Sequence, residues 1–385
     1  MRTILLISPY WREEHRWMVS SVKLAALWQR MGYRVIVACM GSMNEECRMK
    51  NEECGRRVGI ERVSETLEIH RMRDFFLPDP WNYGIALGFS GYVRRLVRTE
   101  KPDLIIVNKL LFWTSLATIV LRLSGKNVLL LTDALVGMTW WPRGRIPKIC
   151  AALYAWTLGW LILLCAERVV TYHPQTQRLL RRLGILHKTR VIPTGIDTTE
   201  WPARESRGDP SVTVSYVGRL ESVKGVDDFL AATIPLKKQY PELTIQVAGW
   251  YPAGHPLVER YQDDVTFTGL VDDVRALLNE TDIYVLPSYS EGLSNALMEA
   301  MSTGCACVAS DVGGNRFLIQ NGISGFLFPA GDREALRAHV RRLVDDPAKR
   351  MALGRAARRQ IEEHFDWEHV AEQYETLFEE CQKTA

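Results

Sequence analysis

Short apolar runs alternate with helical patterns along the whole chain, and this alternation strongly limits the folds that it can adopt. In the first half the runs lie at residues 3–8, 34–39, 104–108, 127–132, 168–172 and 190–197. In the second half they lie at residues 212–218, 243–249, 265–269, 283–288, 306–310 and 325–328. Apolar runs without polar alternation predict strands buried on both faces, and helices between them predict parallel crossovers. The sequence therefore predicts an α/β protein with doubly wound sheets.

The length and one change in composition predict how this pattern divides. A chain of 385 residues exceeds the size of one ordinary core, so we expect two domains. Between Asp197 and Ser211 prolines and charges replace the apolar runs, which predicts a linker. We predict Rossmann-like domains over residues 1–197 and 211–365. A helical stretch at residues 366–385 follows, and we expect it to pack back on the N-terminal domain.

Composition and charge exclude several classes of protein. A hydrophobic content of 47% with 24% charged residues is typical of a folded globular chain. The formal net charge of +3 gives no reason to expect nucleic acid as a partner. The eight cysteines lack paired metal-ligand spacing, which indicates free thiols and no metal site. The N-terminus has no small-residue cleavage site, so we expect no signal peptide and a cytoplasmic location.

One apolar segment departs from the usual pattern of a water-soluble domain. Residues 149–166 are eighteen consecutive uncharged residues, which is the lower limit for a membrane-spanning helix. The segment is a buried core helix, a helix lying on an anionic membrane surface, or a membrane span. Basic residues before it, and Trp156 and Trp160 within it, favour an interfacial position. Strand-like sequence on both sides argues against a span.

The loops that follow the strands carry the prediction of a site, because ligands of doubly wound sheets bind beyond the carboxyl ends of the strands. Arg219 and Lys224 follow the strand predicted at residues 212–218. An arginine grips two oxygens of an anion, and a lysine acts as a point charge. Together the two cations suit a diphosphate.

The segment from Pro287 to Gly314 is the strongest motif. The strand predicted at residues 283–288 leads into a loop with Glu291, and a helix begins near Ser294 or Asn295. A helix N-terminus offers backbone N–H groups and a positive dipole end, which suit anions and sugar hydroxyls.

Two glutamates lie around this helix start. Glu299 follows Asn295 by four residues, so its carboxylate projects from the helix next to the loop that carries Glu291. Two carboxylates that accept hydrogen bonds from two sets of hydroxyls are a sensible arrangement for a sugar and a ribose.

The spacing and order of these motifs resemble a known family. Glu291, seven intervening residues and Glu299, within PSxxEGxxNxxxEAMxxG, resemble the signature of retaining family-four glycosyltransferases of the GT-B fold, the glycosyl transferases group 1. The segments VIPTGID, with Thr194 in place of the family's asparagine, and YVGRLESVKG occur in the family's order. The resemblance covers the second half almost continuously and the first half loosely. It implies two Rossmann-like domains that face each other across a cleft.

The resemblance also implies roles for individual residues. Arg219 and Lys224 would hold the diphosphate and neutralise the leaving group. Glu299 would accept the ribose hydroxyls, and Glu291 would face the donor sugar. The further donor contacts that it implies are Gly292, Leu293, Ser294 and Asn295 through backbone N–H groups, with Leu270 and Val271 beside the base. It implies retention of anomeric configuration, with no divalent metal or other cofactor.

The first half departs from the family pattern at two loops. Ser8 and the residues after it occupy the loop where many members carry paired glycines. Members commonly place a histidine beyond a central strand, whereas here Asp133 follows the strand predicted at residues 127–132. Asp133 is our candidate catalytic residue at that position. His173, after the strand predicted at residues 168–172, is the alternative.

The predicted reaction is transfer of a hexose or N-acetylhexosamine from a nucleotide diphosphate sugar. The motif EGLSN favours a uridine diphosphate sugar, with guanosine diphosphate mannose next. Apolar segments at residues 75–89, 110–121 and 149–166 indicate a membrane-facing first domain. We therefore expect a polyprenyl-linked or other glycan acceptor and peripheral contact with the cytoplasmic face of a membrane.

Other functions remain as alternatives. A dehydrogenase is disfavoured, because no GxGxxG follows a strand. A GT-B epimerase would bind the same donor and release a new nucleotide sugar without an acceptor. A non-catalytic protein would bind the nucleotide sugar and show no turnover. The sequence leaves the donor sugar, the acceptor, the linkage position and the oligomeric state open.

Overall fold

A computed structural model divides the chain into two compact units. Unit 1 is Met1–Thr194 with Ala371–Ala385, and unit 2 is Gly195–Val370. The structure describes residues 1–11, 19–41, 58–77, 83–110, 112–133, 135, 137–139, 141, 145–204 and 211–383.

Unit 1 is built on a mostly parallel sheet. Its strands are β1 (Thr3–Ile7), β2 (Arg34–Met40), β3 (Val58–Ser64), β4 (Leu67–Met72), β5 (Phe75–Leu77), β6 (Tyr83–Ile85), β7 (Leu104–Asn108), β8 (Leu129–Thr132), β9 (Arg168–Thr171) and β10 (Thr189–Val191). Among the described residues the main sheet has the order β10-β9-β8-β7-β1-β2-β4-β3, and β5 pairs with β6 separately. Only β3 runs antiparallel to its neighbour in the main sheet, among these described strands.

Unit 2 is built on a parallel sheet. Its strands are β11 (Thr213–Val217), β12 (Thr244–Ala248), β13 (Thr266–Gly269), β14 (Ile283–Leu286), β15 (Ala306–Ser310) and β16 (Phe326–Phe328). Their order is β13-β12-β11-β14-β15-β16. Residues Ile283 to Leu286 of β14 are buried on both sides of the pleat, because helices cover the two faces. The prediction of a two-unit α/β protein with doubly wound sheets is therefore confirmed.

The helices connect these strands. They are α1 (Val19–Arg30), α2 (Phe89–Glu100), α3 (Ala117–Leu123), α4 (Arg145–Tyr154), α5 (Trp160–Cys165), α6 (Gln177–Arg182), α7 (Val226–Lys237), α8 (Pro256–Tyr261), α9 (Val274–Asn279), α10 (Asn295–Ser302), α11 (Asn315–Leu318), α12 (Arg333–Asp345), α13 (Pro347–His364) and α14 (Trp367–Lys383). A π-helical turn, Ala155–Gly159, joins α4 to α5.

Each sheet has a switch point, where the strand order reverses. In unit 1 the chain moves outward from β1 to β2 and β4, then returns to β7 on the other side of β1. In unit 2 it moves from β11 to β12 and β13, then returns to β14 beside β11. Loops that leave neighbouring strands at such a point diverge and form a ligand-binding crevice.

The last helix, α14, spans the boundary between the two units, and its residues from Ala371 on belong to unit 1. Its Tyr374 and Phe378 are buried and pack their rings against Trp28 of α1, with ring centroids 5.9 and 6.1 Å from that of Trp28. Aromatic burial of this kind anchors the end of the chain in the core of unit 1.

The segment predicted to be a linker is partly built into unit 2. Arg204 donates to Asp282 Oδ1 at 2.8 Å, and Arg358 donates to the carbonyl oxygens of Trp201 and Thr198. The described part of the segment is therefore held by part-buried hydrogen bonds within unit 2, and the two units divide after Thr194.

The structure also corrects the prediction at two places in unit 1. Strands β3 and β4 were absent from the predicted series, because polar residues interrupt their apolar ones and leave no continuous apolar run. The segment 110–121 was expected to face a membrane, yet Leu110, Ala117 and Leu121 belong to the hydrophobic core.

Candidate functional site

Two loops meet at the switch point of unit 2. Lys224, after β11, donates from Nζ to Glu291 Oε1, after β14, at 2.8 Å. Ser288 Oγ donates to the same carboxylate oxygen at 2.7 Å. The Glu291 side chain is 9% exposed and that of Lys224 is 24% exposed. The pair is therefore held in a fixed position, and the cation is partly open to a ligand.

Glycines bring the backbones of these loops close together. Gly225 has φ +71°, and a Cβ there would lie 2.1 Å from the carbonyl oxygen of Pro287. Gly313, after β15, has φ +49°, and a Cβ there would lie 1.9 Å from the carbonyl oxygen of Glu291. Both positions need the left-handed conformation and the absence of a side chain. The loop carrying Glu291 therefore packs closely against the loops that follow both neighbouring strands, β11 and β15.

Helix α10 begins directly after this loop. Ser294 caps it, accepting from the backbone N–H of Leu297 at 3.3 Å. Asn295 Oδ1 is buried and accepts no hydrogen bond within the described part of the chain. Buried polar atoms are ordinarily paired, so this oxygen is suited to a donor group from a ligand. Glu299 lies half-buried on the next turn.

Arg219 lies in the same loop as Lys224 but makes different contacts. Its guanidinium is paired with Glu221 at 2.9 Å, and its side chain is 62% exposed. Burial raises the pKa of Tyr216, so that its hydroxyl stays protonated and donates to the carbonyl oxygen of Arg219 at 2.9 Å. The backbone of Arg219 is thus fixed, while its cation remains at the surface.

The residues predicted to lie beside the base are also found beyond the carboxyl end of a strand in the unit 2 sheet. Leu270 and Val271 follow β13, which is separated from β11 by β12. Leu270 is 74% exposed, and Val271 packs against a core cluster. Their contact with a base remains a prediction.

In unit 1 three polar residues follow three neighbouring strands. Lys109 follows β7, Asp133 follows β8, and His173 lies just beyond β9. Lys109 Nζ lies 2.6 Å from Asp133 Oδ2, and Lys109 has φ +78°, which is uncommon for a residue with a side chain. Left-handed backbone of this kind is often found at functional sites.

Electrostatics set the charge of these groups. Burial raises the pKa of Asp133, but the charge and hydrogen bond of Lys109, with smaller contributions from a backbone hydrogen bond and His173, together bring the pKa below its ordinary value. Burial lowers the pKa of His173, although the nearby Asp133 opposes this effect. Near neutral pH the arrangement therefore holds an ionised carboxylate beside a neutral imidazole.

A buried hydrogen-bond network lies at the switch point of unit 1. Asn108 Nδ2 donates to Ser21 Oγ at 2.6 Å, and Tyr172 OH donates to Asn108 Oδ1 at 2.8 Å. Ser8 Oγ lies 2.7 Å from Ser21 Oγ and donates to the carbonyl oxygen of Tyr10. The described start of the loop that departs from the family's paired glycines, residues 8–11, is thus held by hydrogen bonds of Ser8.

Replacing Asp133 by asparagine tests the charge of this carboxylate. Because its pKa is lowered in the folded chain, its ionisation stabilises the fold at neutral pH. That contribution disappears as the pH falls through the lowered pKa. We expect Asp133→Asn to lower the melting temperature at neutral pH. This decrease should become smaller as the pH is lowered. In the control Asp263→Asn, an exposed carboxylate, the difference should stay small throughout. If the difference in melting temperature between Asp133→Asn and the wild-type chain did not change with pH, the pKa of Asp133 would not be lowered by folding.

Lys109, Ser288 and Gly313 were not among the predicted site residues. Lys109 had one available signal, since it is a charged residue directly after a buried strand. Gly313 lies one residue before the end of the segment from Pro287 to Gly314, but its closeness to Glu291 depends on strand pairing. Ser288 is the serine of the quoted motif PSxxEG, but the motif did not indicate its hydrogen bond to Glu291.

Profiles of known families match both halves of the chain. The profile described as Glycosyltransferase Family 4 matches residues 19–200, and the one described as Glycosyl transferases group 1 matches residues 211–346. Glycogen synthase of Mycobacterium tuberculosis is 36% identical over 195 residues, which are 48% of this chain and 47% of that protein. UDP-Gal:alpha-D-GlcNAc-diphosphoundecaprenol alpha-1,3-galactosyltransferase of Escherichia coli is 28% identical over 202 residues, 47% of this chain and 52% of that protein. The chain thus spans about half the length of these curated relatives.

Solved structures resemble the chain along its whole length. Sucrose-phosphate synthase from Thermosynechococcus elongatus has a TM-score of 0.77 at 21% identity, covering 100% of both chains. Anabaena HepE, solved with UDP-glucose, has a TM-score of 0.72 at 16% identity, also covering 100% of both chains. These likenesses show the fold, which is GT-B. With matching profiles over both halves and this shared fold, the chain belongs to the family 4 glycosyltransferases, the glycosyl transferases group 1.

Proposed function

We propose that the chain is a retaining hexosyltransferase that moves a hexose or N-acetylhexosamine from a uridine diphosphate sugar to a hydroxyl of a lipid-linked glycan. The observation that carries the proposal is the Lys224–Glu291 pair beside the start of α10, at the switch point of unit 2. A cation and a helix N-terminus suit a diphosphate, and the carboxylate suits sugar hydroxyls.

The chemistry that we propose needs stabilisation of negative charge on the departing diphosphate. Lys224 and Arg219 supply positive charge at the loop after β11, in place of a metal ion. Glu291 faces the donor sugar, and its contacts to Lys224 and Ser288 hold it in one orientation. Asp133 and His173 of unit 1 are proposed to contact the donor sugar.

Addition of a metal chelator is expected to leave the transfer rate unchanged.

The preference for uridine diphosphate rests on the sequence motif and on two similar proteins. The name of the E. coli relative gives UDP-galactose as its donor, and the HepE structure contains UDP-glucose. A guanosine diphosphate sugar is the second candidate.

The proposed acceptor is a glycan carried on a polyprenyl diphosphate at the cytoplasmic face of a membrane. The E. coli relative is named for an acceptor linked to diphosphoundecaprenol. A long apolar helix in unit 1 supports a membrane location for this chain. Within the described residues one helix, Lys148–Cys165, is long and apolar enough to cross a membrane, and 28% of it is buried.

Replacing Glu299 by alanine tests the donor site. A carboxylate that accepts ribose hydroxyls contributes a charge-assisted hydrogen bond, so we expect uridine diphosphate affinity to fall about 10- to 100-fold. Titration calorimetry measures this directly. Glu363→Ala, which removes an exposed glutamate from α13, is the matched control. Unchanged affinity in the Glu299 variant would remove this residue from the site.

Transfer assays separate the proposed function from its alternatives. The purified chain is incubated with a panel of uridine and guanosine diphosphate sugars and a membrane lipid extract. Nucleotide diphosphate release with labelled lipid supports transfer, and the anomeric configuration of the product tests retention. A new free nucleotide sugar, formed without acceptor, would indicate an epimerase. Nucleotide binding with no turnover would indicate a non-catalytic protein.

A further inference from the structure

The outward side of the helix pair α4–α5 carries large apolar residues, and the buried side carries small residues together with Ile162 and Leu163. We define the apolar stripe as the outward-facing residues that follow one another at intervals of three or four, which are Ile146, Ile149, Leu153, Trp156, Trp160 and Leu164. Their exposed fractions range from 40% to 66%. The opposite side is buried and includes Ala151, Ala155, Gly159 and Ile162.

Along α4 and the π-helical turn this arrangement is the reverse of an ordinary amphipathic helix in a water-soluble domain, whose large apolar side chains face the core. The small residues let the helices approach unit 1 closely: a Cβ added at Gly137 would lie 2.4 Å from the carbonyl oxygen of Ala151. A contiguous exposed apolar surface of this kind marks an interaction site.

The position of the helices in the fold excludes a membrane span. They connect β8 to β9, which are neighbouring parallel strands of one sheet. Ile162 and Leu163 of α5 are in the core cluster that covers this sheet. The helices therefore lie along the protein, with the stripe facing outward.

Positive charge flanks the stripe at both ends. Arg145 and Lys148 lie in the first turns of α4, and an arginine cluster lies on α6. We define the arginine cluster as Arg178, Arg181 and Arg182, all exposed. None of these five cations forms an ion pair within the described part of the chain.

The arginine cluster is tied to the stripe by direct contacts. The guanidinium of Arg182 lies 4.9 Å from the ring centroid of Trp156. Trp160 Nε1 donates to the carbonyl oxygen of Leu183, directly after α6, at 3.1 Å. Tryptophans beside arginines suit the headgroup boundary of a bilayer, where the ring enters the apolar region and the cation meets phosphate.

From this geometry we infer that the apolar stripe and the arginine cluster together form a binding surface for anionic phospholipid membranes. The stripe inserts into the boundary between headgroups and acyl chains, and the cluster pairs with anionic headgroups. The inference deepens the proposed function by naming the surface that meets the membrane. Binding is measured without donor or acceptor, so its failure is distinguishable from failure of the transfer reaction.

Flotation of the full chain with vesicles tests the inference. One set of vesicles is phosphatidylcholine, and in the other phosphatidylglycerol replaces part of it. We expect binding to the anionic set at low salt, and weaker binding at high salt or without anionic lipid. Absence of binding to anionic vesicles at low salt would overturn the inference.

Two sets of variants separate the two parts of the surface. Ile149→Gln with Leu153→Gln and Leu164→Gln removes apolar contacts, and the triple Arg-to-Gln change in the arginine cluster removes charge. Each is expected to lower vesicle affinity about tenfold or more. The matched controls are exposed residues outside the helices that form the surface: Val63, Ile323 and Met351 changed to Gln, and Arg341, Arg355 and Arg359 changed to Gln.

Two results would count against a membrane-binding role of this surface, one from the control variants and one from the oligomeric state of the chain. Equal losses in the control variants would show that the effect is not specific to this surface. A dimer in solution that the apolar triple variant converts to a monomer, together with no vesicle binding, would assign the stripe to self-association and overturn the inference.

Discussion

Replacing Lys224 by methionine is expected to lower kcat for sugar transfer by about 10²- to 10³-fold. The ammonium group is the partly exposed cation at the switch point, and it also holds Glu291 Oε1 at 2.8 Å. Its loss removes charge stabilisation from the leaving diphosphate. It also leaves a nearly buried carboxylate whose remaining side-chain partner, among the described residues, is Ser288. Steady-state kinetics with a saturating donor measure the effect.

A double variant separates the two roles of Lys224. If the lysine only positions Glu291, adding Lys224→Met to Glu291→Gln will lower kcat no further than Glu291→Gln alone. If its charge acts on the diphosphate, the double variant will be slower than Glu291→Gln. Lys237→Met, which removes a lysine from α7 of the same unit, is the control. A wild-type kcat in Lys224→Met would remove the residue from the catalytic site.

Replacing Gly313 by alanine is expected to damage both stability and activity. A residue with a side chain at φ +49° costs about 1–2 kcal/mol, and a Cβ at 1.9 Å from the carbonyl oxygen of Glu291 forces the two loops apart. We expect the free energy of unfolding to fall by about 2 kcal/mol or more. Displacing Glu291 by about 1 Å should lower kcat about a hundredfold.

Gly322 provides the matched control for this change. It also has a left-handed backbone, φ +79°, but a Cβ there would meet nothing within 4 Å. Gly322→Ala should therefore show the conformational cost without the collision and retain wild-type kcat. Denaturant unfolding and kinetics of both variants give the comparison. Equal stability loss with unchanged kcat in both would show that contact between the loops does not position Glu291.

Much of the fold was predictable because a buried strand can be recognised from its own short run of apolar residues. The apolar runs predicted strands such as β11 and β14, since parallel strands buried on both faces leave no polar alternation. The hairpin of β3 and β4 was missed for the converse reason. Polar residues interrupt its apolar ones, and among the described strands β3 pairs with the sheet through β4 alone.

Several residues of the candidate site could be predicted from the sequence, but the contacts between their side chains could not. Glu291 and Lys224 were identified by motif and by their place after strands, yet their direct ion pair depends on β11 and β14 being neighbours. That adjacency comes from the reversal of strand order, a pairing of residues far apart in the chain. The pair of Lys109 with Asp133 depends in the same way on β7 lying beside β8.

The sequence by itself determined the class of fold, the order of the motifs and the existence of a long uncharged segment at residues 149–166. Only the tertiary structure decided which side of that segment faces outward. Helical periodicity separates the small residues from the large ones, but it does not say which side packs on the sheet. Close contact with the backbone near Gly137 selects the small residues and leaves Trp156 and Trp160 exposed.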